Sequence, residues 1–197
     1  MLLIAFAYFV PSCVAAELEL RFAALERIVA AQLFTQDGRH YVRGSRTTRC
    51  QFAYLETPHI DSDEGRLRVR ARFSGRSALD LMGRCVGLGD SFDLTITGTP
   101  APHNGTMVLR DVKVSTPRDS YYIRRVRAAL AQSISKDFKI EVRDQARRLL
   151  EQPDDISPNA ASRDSLYKQE LEAFDLGEIR VTPDALVLVI EFRLVVK

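Results

Sequence analysis

The sequence predicts an α+β protein, in which a curved antiparallel β-sheet wraps around a long amphipathic helix. Three stretches support this prediction: the strictly alternating Arg66–Phe73, the similar Phe92–Thr97, and Met107–Val114. A period of two places apolar side chains on one face of a strand and polar ones on the other. Because glycine-containing turns separate the three stretches, they are expected to form an antiparallel meander. Further helices follow the meander, and a β-hairpin ends the chain.

The first sixteen residues carry no charged side chain, and Leu2–Val10 is an unbroken apolar run. Such a run before the small residues Ala15 and Ala16 is typical of a signal peptide, here residues 1–16. Cys13 offers a lipoprotein alternative, in which its thiol carries lipid, and a third interpretation is a buried N-terminal helix, which Pro11 disfavours. The first two interpretations place the protein in the periplasm or outside the cell.

The cysteine count agrees with export. Once Cys13 is removed or lipidated, Cys50 and Cys85 remain as an even pair, and oxidising compartments preserve disulfides. Cys50 follows a polar loop and Cys85 lies in a glycine-rich one, so neither position resembles the interior of a core strand. We therefore predict a Cys50–Cys85 disulfide. The alternative is two unrelated buried thiols.

Residues 17–197 are predicted to form one domain, with a polar linker at 152–163. Glu17–Leu20 alternates as a short strand, and spacings of three and four then predict a helix from Phe22 to about Phe34. Four glycines between Ser74 and Asp90 argue against one regular element there. The predicted strands and turns are strands at Tyr41–Arg43 and Gln51–Leu55, which Pro58 ends, a turn over Asp61–Gly65, and a tight turn at His103–Gly105. A helix over Asp119–Lys136 follows, and Phe138–Val142 is either a brief strand or a continuation of that helix. Further helices are predicted at Gln145–Glu151 and Asp164–Phe174, and a hairpin joins Glu178–Val181 with Leu186–Val196.

No stretch of the sequence encodes a recognisable reaction. The histidines, His40, His59 and His103, stand alone in separate turns, so no metal site is predicted. The glycine-rich Gly83–Gly89 lacks the Lys-Ser/Thr pair of a phosphate loop. We assign no catalytic residue and no cofactor, and a formal charge of +2 does not indicate nucleic-acid binding.

The predicted architecture suggests a place for a ligand. A twisted sheet coiled around a helix leaves an elongated apolar groove or tube, unless side chains fill it completely. The inward apolar residues of the first helix and of the strands are expected to line it. These are Phe22, Leu25, Val29, Leu33, Phe73, Phe92, Leu94, Ile96, Leu188, Ile190 and Phe192.

A stripe of arginines lies on the opposite face of one predicted strand. It consists of Arg66, Arg68, Arg70 and Arg72. The favoured interpretation is the solvated face of an amphipathic strand. The alternative is a basic face that binds an anionic partner, such as a membrane surface or an acidic envelope protein.

The order of elements and a loose motif carry a family resemblance. The motif comprises Gly98-Thr99-Pro100, Gly105, Leu109–Val114, a helix led by Tyr121-Tyr122, and the terminal amphipathic strand. Over Glu17–Lys197 the chain resembles bacterial exported envelope proteins with a TULIP-like, tubular lipid-binding fold. The resemblance implies an exported, non-enzymatic binding or carrier protein for lipid or another apolar small molecule. The alternative function is an envelope protein–protein interaction module with a filled core and an arginine-rich binding face.

Overall fold

The structure is a computed structural model, which describes residues 14–151 and 169–196. Most of the predicted signal peptide, including Cys13, and the predicted linker at 152–163 lie outside the described residues. The elements are β1 (Val14–Arg21), α1 (Phe22–Leu33), β2 (Arg39–Arg43), β3 (Gln51–Asp63), β4 (Arg66–Leu81), β5 (Arg84–His103), β6 (Thr106–Ser115), α2 (Tyr121–Asp137), β7 (Lys139–Glu141), α3 (Val142–Glu151), β8 (Gln169–Val181) and β9 (Ala185–Val196).

The predicted α+β class is confirmed, and the sheets are antiparallel and curled. Strands β2 to β7 form a six-stranded meander in chain order. Two-residue turns join β3 to β4, β4 to β5 and β5 to β6. They are Glu64-Gly65, Met82-Gly83 and Asn104-Gly105, and both residues of each turn have positive φ. This is the backbone conformation of type I′ turns, whose twist matches that of paired strands. The turn predicted at His103–Gly105 is thus confirmed.

A second sheet has the order β1-β9-β8, and its central strand, β9, pairs with both the first and the penultimate strand. The predicted C-terminal hairpin is confirmed. The helix predicted at Asp164–Phe174 is wrong over its described part, because β8 begins at Gln169 and pairs with β9. The spacing of Leu171 and Phe174 is compatible with a helix. In the structure both side chains are buried in the core, and packing with distant parts of the chain determines the local structure.

Two helices, not one long one, lie against the curled sheet. The 12-residue α1 follows β1 directly, and its first free N–H, of Phe22, donates to the carbonyl oxygen of Asp184 at 3.3 Å. Glu26 ties α1 to β3, since its Oε1 accepts from the N–H of Ile60 at 2.6 Å. The 17-residue α2 begins at an N-cap, where the Ser120 hydroxyl accepts from the N–H of Ile123. The sequence expectation of a single long helix inside the curl is therefore not met.

Several strands are longer than the sequence predicted. Pro58 does not end β3, because the strand bulges between Glu56 and His59 and continues, with Thr57 at positive φ. For the same reason the predicted turn at Asp61–Gly65 shrinks to its last two residues. The segment from Ser74 to Asp90 was expected to be a regular element only in part, but it forms a regular hairpin of β4 and β5 throughout.

Glycines in this hairpin serve close packing. A Cβ at Gly75 would lie 2.7 Å from the ring of Phe73, and one at Gly87 would collide with the carbonyl oxygen of Ser77. Strand β5 also continues through Pro100 to His103, past a register shift near Gly98. The glycines and prolines that argued against strands thus mark close contacts and bulges within them.

Candidate functional site

The inner face of the six-stranded sheet is the apolar face that the sequence predicted. It is formed by alternating buried residues of β3 to β6, and helices α1 and α2 pack over it. The residues are Leu55, Leu67, Val69, Ala71, Phe73, Phe92, Leu94, Ile96, Met107 and Leu109. Phe73 and Phe92 face each other across β4 and β5 with ring centroids 4.9 Å apart. These two large side chains fill their part of the interior, so they act as core.

An apolar cavity of about 200 Å³, which we call the inter-sheet cavity, lies where the two sheets, α1 and α3 meet. Ten of its eleven lining residues are apolar: Leu18, Leu20, Leu25, Ile28, Met107, Ile140, Val142, Ala146, Leu186 and Leu188, and the eleventh is Glu141. The N–H of Glu141 donates to Gln32 Oε1 at 3.1 Å, which ties β7 to α1 beside the cavity. An apolar lining of this kind is suited to an apolar guest.

A second space, the central gap, lies between α1, α2 and the inner face. It holds only about 30 Å³ and is lined by Val29, Leu33, Phe34, His40, Leu55, Val69, Ala71, Ile96, Leu109, Ile134 and Phe138. The ring nitrogen Nδ1 of His40 lies 3.0 Å from the carbonyl oxygen of Leu33, so this polar side chain is satisfied at the rim. The gap is too small for a ligand and represents nearly complete packing.

A third space, the helix groove, runs between the N-terminal half of α2 and strands β2 to β4. Its volume is about 330 Å³, and it is more open than the inter-sheet cavity. Its lining is Val42, Arg43, Phe52, Ala53, Phe73, Gly75, Arg76, Ser77, Tyr122, Val126, Ala129, Leu130 and Ser133. The lining is therefore largely apolar, with two arginines and three hydroxyl groups among its side chains.

The three spaces follow one another beneath the helices. Ile28 and Val29 are consecutive on α1, and they line the inter-sheet cavity and the central gap respectively. Ala71 and Phe73 occupy successive inner positions of β4, and they line the central gap and the helix groove. The order is thus cavity, gap, groove, with packed side chains at the narrow middle.

The predicted lining residues divide among these spaces. Leu25 and Leu188 line the inter-sheet cavity; Val29, Leu33 and Ile96 line the central gap; Phe73 lines the helix groove. Leu94 is buried on the inner face and also borders an open cleft beside the arginine stripe. The others, Phe22, Phe92, Ile190 and Phe192, are among the packed core residues or pack against them. The sequence did not reveal that β1, β7 and α3 line the inter-sheet cavity. The alternation or spacing of apolar residues within each element does not show which elements lie next to each other in the fold.

The arginine stripe lies on the outer face, where most of its charge is paired. Arg68 Nε lies 2.5 Å from Asp61 Oδ1, and Arg70 Nη2 lies 2.8 Å from Asp61 Oδ2. Arg66 donates to the carbonyl oxygen of Asp111, and Arg72 to the hydroxyl of Ser91. The hydrogen bond from Arg68 lowers the pKa of Asp61, and the same contact raises the pKa of Arg68. The stripe is thus a cross-strand charge network that leaves Asp61 ionised.

An open cleft of about 550 Å³, the outer cleft, crosses β3 to β6 beside this stripe. Its lining is mixed: Thr57, His59, Arg70, Ala71, Arg72, Asp93, Leu94, Thr95, Ser115, Thr116 and Pro117. His59 Nδ1 lies 2.7 Å from Glu26 Oε1, and Arg72 lies 3.9 Å from Asp93. Since Arg70 and Arg72 both have acidic neighbours, the cleft does not present a concentrated positive charge.

The predicted disulfide is confirmed: Cys50, just before β3, is bonded to Cys85, near the start of β5, with a Cα–Cα distance of 5.2 Å. Beside it, the N–H of Ala78 donates to the carbonyl oxygen of Cys50 at 2.9 Å. The bond holds the far half of the β4–β5 hairpin against the body. Over residues 14–151 and 169–196, no helix is long and apolar enough to cross a membrane.

The described residues contain no group of three or more histidine, cysteine, aspartate or glutamate side chains placed to hold a metal ion. Comparison of the chain with models of known protein families, with curated proteins and with solved structures gave no match. The function is therefore inferred from the geometry of the chain alone.

Proposed function

We propose that this protein is an exported, non-enzymatic binding or carrier protein, which holds a lipid or another apolar ligand between its sheets and helices. The observation that carries the proposal is the inter-sheet cavity, about 200 Å³ with a lining that is apolar except for Glu141. An apolar cavity of about 150 Å³ stays dry and takes up benzene, so a space of this size favours an alkyl or aromatic group. Each buried methylene stabilises such a complex by about 0.8 kcal/mol.

The arrangement of the spaces supports an elongated guest. A chain that entered at the helix groove would reach the inter-sheet cavity only past the central gap, where Val29, Ile134 and Phe138 lie. Val29 belongs to α1 and Ile134 to α2, which are separate elements, and Phe138 directly follows α2. Binding of a long acyl chain would therefore need a small separation of the helices, whereas a short one fits either end.

Two further observations support an extracytoplasmic location. The disulfide between Cys50 and Cys85 is of the kind that persists in oxidising compartments. The uncharged, apolar start of the sequence resembles an export signal. Together with the tubular lipid-binding resemblance, they support the proposal that the ligand is exchanged in the cell envelope.

The test uses the full-length protein and two variants, in each of which one alanine is replaced by phenylalanine. Ala146 is buried on α3 and lines the inter-sheet cavity, so Ala146→Phe fills the space. Ala128 is exposed on α2 and lines none of the three spaces, so Ala128→Phe adds the same side chain harmlessly. We expect the unmodified protein and Ala128→Phe to bind a fluorescent fatty acid, and Ala146→Phe to bind it at least about tenfold more weakly, since several methylenes lose their place.

Stability is measured alongside binding. If Ala146→Phe overpacks the site, it costs about 1–3 kcal/mol, and the smaller Ala146→Leu then replaces it. Weakened binding with an unchanged or raised melting temperature supports the proposal. An unmodified protein that binds no fatty acid and yields no lipid in a solvent extract overturns it.

The second candidate is an envelope protein–protein interaction module with a filled core. The near-complete packing at the central gap, about 30 Å³, favours it. In that case an acidic partner would bind the outer cleft through Arg70 and Arg72, and replacing both by glutamate would abolish binding without affecting fatty-acid uptake. The pairing of Arg70 with Asp61 weakens this candidate, because a partner must compete with an existing ion pair.

A further inference from the structure

The far half of the β4–β5 hairpin, residues 77–88, is here called the distal hairpin. Five of the seven exposed large hydrophobic side chains among the described residues belong to it. They are Leu79, Leu81, Met82, Val86 and Leu88, of which Leu79 is 65% and Leu88 75% exposed, and Met82 is fully exposed. A contiguous exposed apolar surface of this kind typically marks an interaction site.

Four of these side chains share one face of the hairpin. Leu79 pairs with Val86, and Ser77 with Leu88, while Leu81 lies two residues beyond Leu79. Paired and alternate residues project from the same side of a sheet. This side continues the inner face that carries Phe73 and Phe92. The apolar side of the distal hairpin is thus a continuation of the inner face of the sheet. It extends beyond the helices that cover the rest of that face.

The opposite side of the distal hairpin is anchored. Cys85 is on that side, bonded to Cys50, and Ala78 is buried there. The apolar side is therefore presented by a fixed support, and its exposure follows from the covalent link and not from a loose end.

The residue at the apex is unusual for its conformation. Met82 has a φ of 52°, and the equivalent first residues of the two other strand-joining turns are Glu64 and Asn104, with φ of 48° and 52°. Left-handed backbone costs a side chain with a Cβ about 1–2 kcal/mol, and asparagine is favoured at this position of a type I′ turn. The fully exposed methionine does not stabilise the turn conformation, and it does not pack in the core. A strained residue at a projecting tip therefore points to a function.

Positive charge surrounds this apolar surface. Residues 43–50, which the disulfide holds beside the distal hairpin, and residues 76–90 together contain five arginines and two aspartates. The arginines are Arg43, Arg46, Arg49, Arg76 and Arg84, all of them exposed, and Arg46 is paired with Asp37 at 3.0 Å. Asp80 is engaged locally, since its carboxylate accepts from the N–H of Gly83 at 2.9 Å, and Arg118 lies 4.0 Å from Asp90.

An apolar tip with flanking arginines matches the chemistry of an anionic lipid surface. Apolar side chains enter the boundary between headgroups and acyl chains, and arginines near the surface each contribute about 1 kcal/mol through anionic lipids. A second copy of the chain is a poorer partner, because a two-fold contact at this surface would bring the same five arginines together.

We propose that the distal hairpin docks on an anionic phospholipid bilayer, with Met82 deepest and the leucine–valine side in the headgroup boundary. Ser77, which pairs with Leu88 on this side of the hairpin, lines the helix groove together with Tyr122. A docked protein therefore has the groove mouth at the lipid surface. Docking stands independently of the proposed function, whereas uptake of a ligand at this mouth rests on it.

The test is co-sedimentation of the full-length protein with vesicles of phosphatidylcholine, either alone or mixed equally with phosphatidylglycerol. We expect binding to the mixed vesicles that weakens with added salt. Met82→Asp places a charge at the deepest point and should weaken binding at least about tenfold, because carboxylates partition poorly into the bilayer. The matched control is Asn104→Asp, which places the same residue at the same turn position on the other end of β5.

A folded-state control accompanies the charge variant. Met82→Asn suits the turn, so it should keep or raise the melting temperature while still weakening vesicle binding. Equal effects of Met82→Asp and Asn104→Asp, or no effect of Met82→Asp, overturn the proposal. So does a dimer in solution that Met82→Asp dissociates, since this assigns the distal hairpin to a second copy of the chain.

Discussion

The two ends of strand β5 have the same local geometry and opposite surroundings. One end follows the turn Met82-Gly83 and the other precedes Asn104-Gly105, and both turns have two residues at positive φ. At the first end, the inner face carries exposed leucines and valine. At the second, Met107 is 1% exposed, and the backbone N–H of Arg143, on α3, donates to the carbonyl oxygen of Gly105 at 3.2 Å.

The difference shows that hairpin geometry is local, whereas burial depends on which other elements reach each end. At the Asn104 end, β7 pairs with β6 and α3 packs nearby, so apolar burial stabilises it. At the Met82 end, the disulfide to Cys50 takes the place of that cover. The same strand is therefore held by packing at one end and by a covalent bond at the other.

The largest expected effect on stability distinguishes two leucine-to-alanine substitutions on one face of β4. Leu67 is 0% exposed and Leu79 is 65% exposed. Leu67→Ala should lower the free energy of unfolding by about 2–5 kcal/mol, because it leaves a cavity in the covered half. Leu79→Ala should change it by less than about 0.5 kcal/mol. Urea denaturation measures both, and similar losses would mean that the distal hairpin is covered in solution.

The next effect concerns the disulfide. Replacing Cys50 and Cys85 together by serine should lower the free energy of unfolding by about 2–4 kcal/mol, because the open chain gains entropy when unfolded. Hydrogen exchange should quicken at the amide of Ala78, which donates to Cys50, and not at Met107. Two titratable thiols in the unmodified protein from an oxidising compartment would contradict the bridge.

A swap of the turn residues tests the strain at the apex. Met82→Asn should raise the free energy of unfolding by about 1 kcal/mol, and Asn104→Met should lower it by about the same amount. The reason is that asparagine tolerates the left-handed backbone at this turn position better than methionine does. Thermal denaturation of the two variants measures the difference. If both changes prove neutral, Met82 is not strained and the turn argument for its role fails.

The smallest expected effect on stability concerns the ion pair of Asp61 with Arg68, on the outer face of β3 and β4. Since Arg68 holds the pKa of Asp61 below its usual 3.8, which is also its value in the unfolded chain, the ion pair contributes fully above that pH. Asp61→Asn should lower the free energy of unfolding by about 0.5–1 kcal/mol near neutral pH. The loss should diminish as the pH falls through the folded-state pKa. A loss that is constant with pH would show that the charge of Asp61 is not involved.

Alternation predicted the strands of the meander well, because one face of each is buried. Leu67, Val69 and Phe73 are buried as Arg66–Phe73 implied, and the turn at Asn104-Gly105 follows from two residues that tolerate positive φ. Glycines misled the prediction between Ser74 and Asp90, because Gly75 and Gly87 are required by close neighbours, which a sequence does not show.

The candidate site was less predictable than the fold. Leu25 and Leu188 were expected to line it and do, but Leu18, Ile140 and Ala146 come from elements that meet only through the pairing of distant strands. Likewise, Leu79 and Val86 follow a strand pattern, and only the positions of α1 and α2 determine that this part of the face is left exposed.

The pairing of β1 with β9 has a consequence for how the protein is made. Residues Val14–Arg21 pair antiparallel with residues Ala185–Phe192, so the first described strand has its partner in the last. During synthesis β1 is made before β9, and Leu18 and Leu20 have no β9 strand beside them until that segment has emerged. Pairings between such distant segments form slowly, because a long loop must close first. Formation of this sheet thus waits for β9, and a chain that stops before Ala185 leaves β1 with an open edge for other chains.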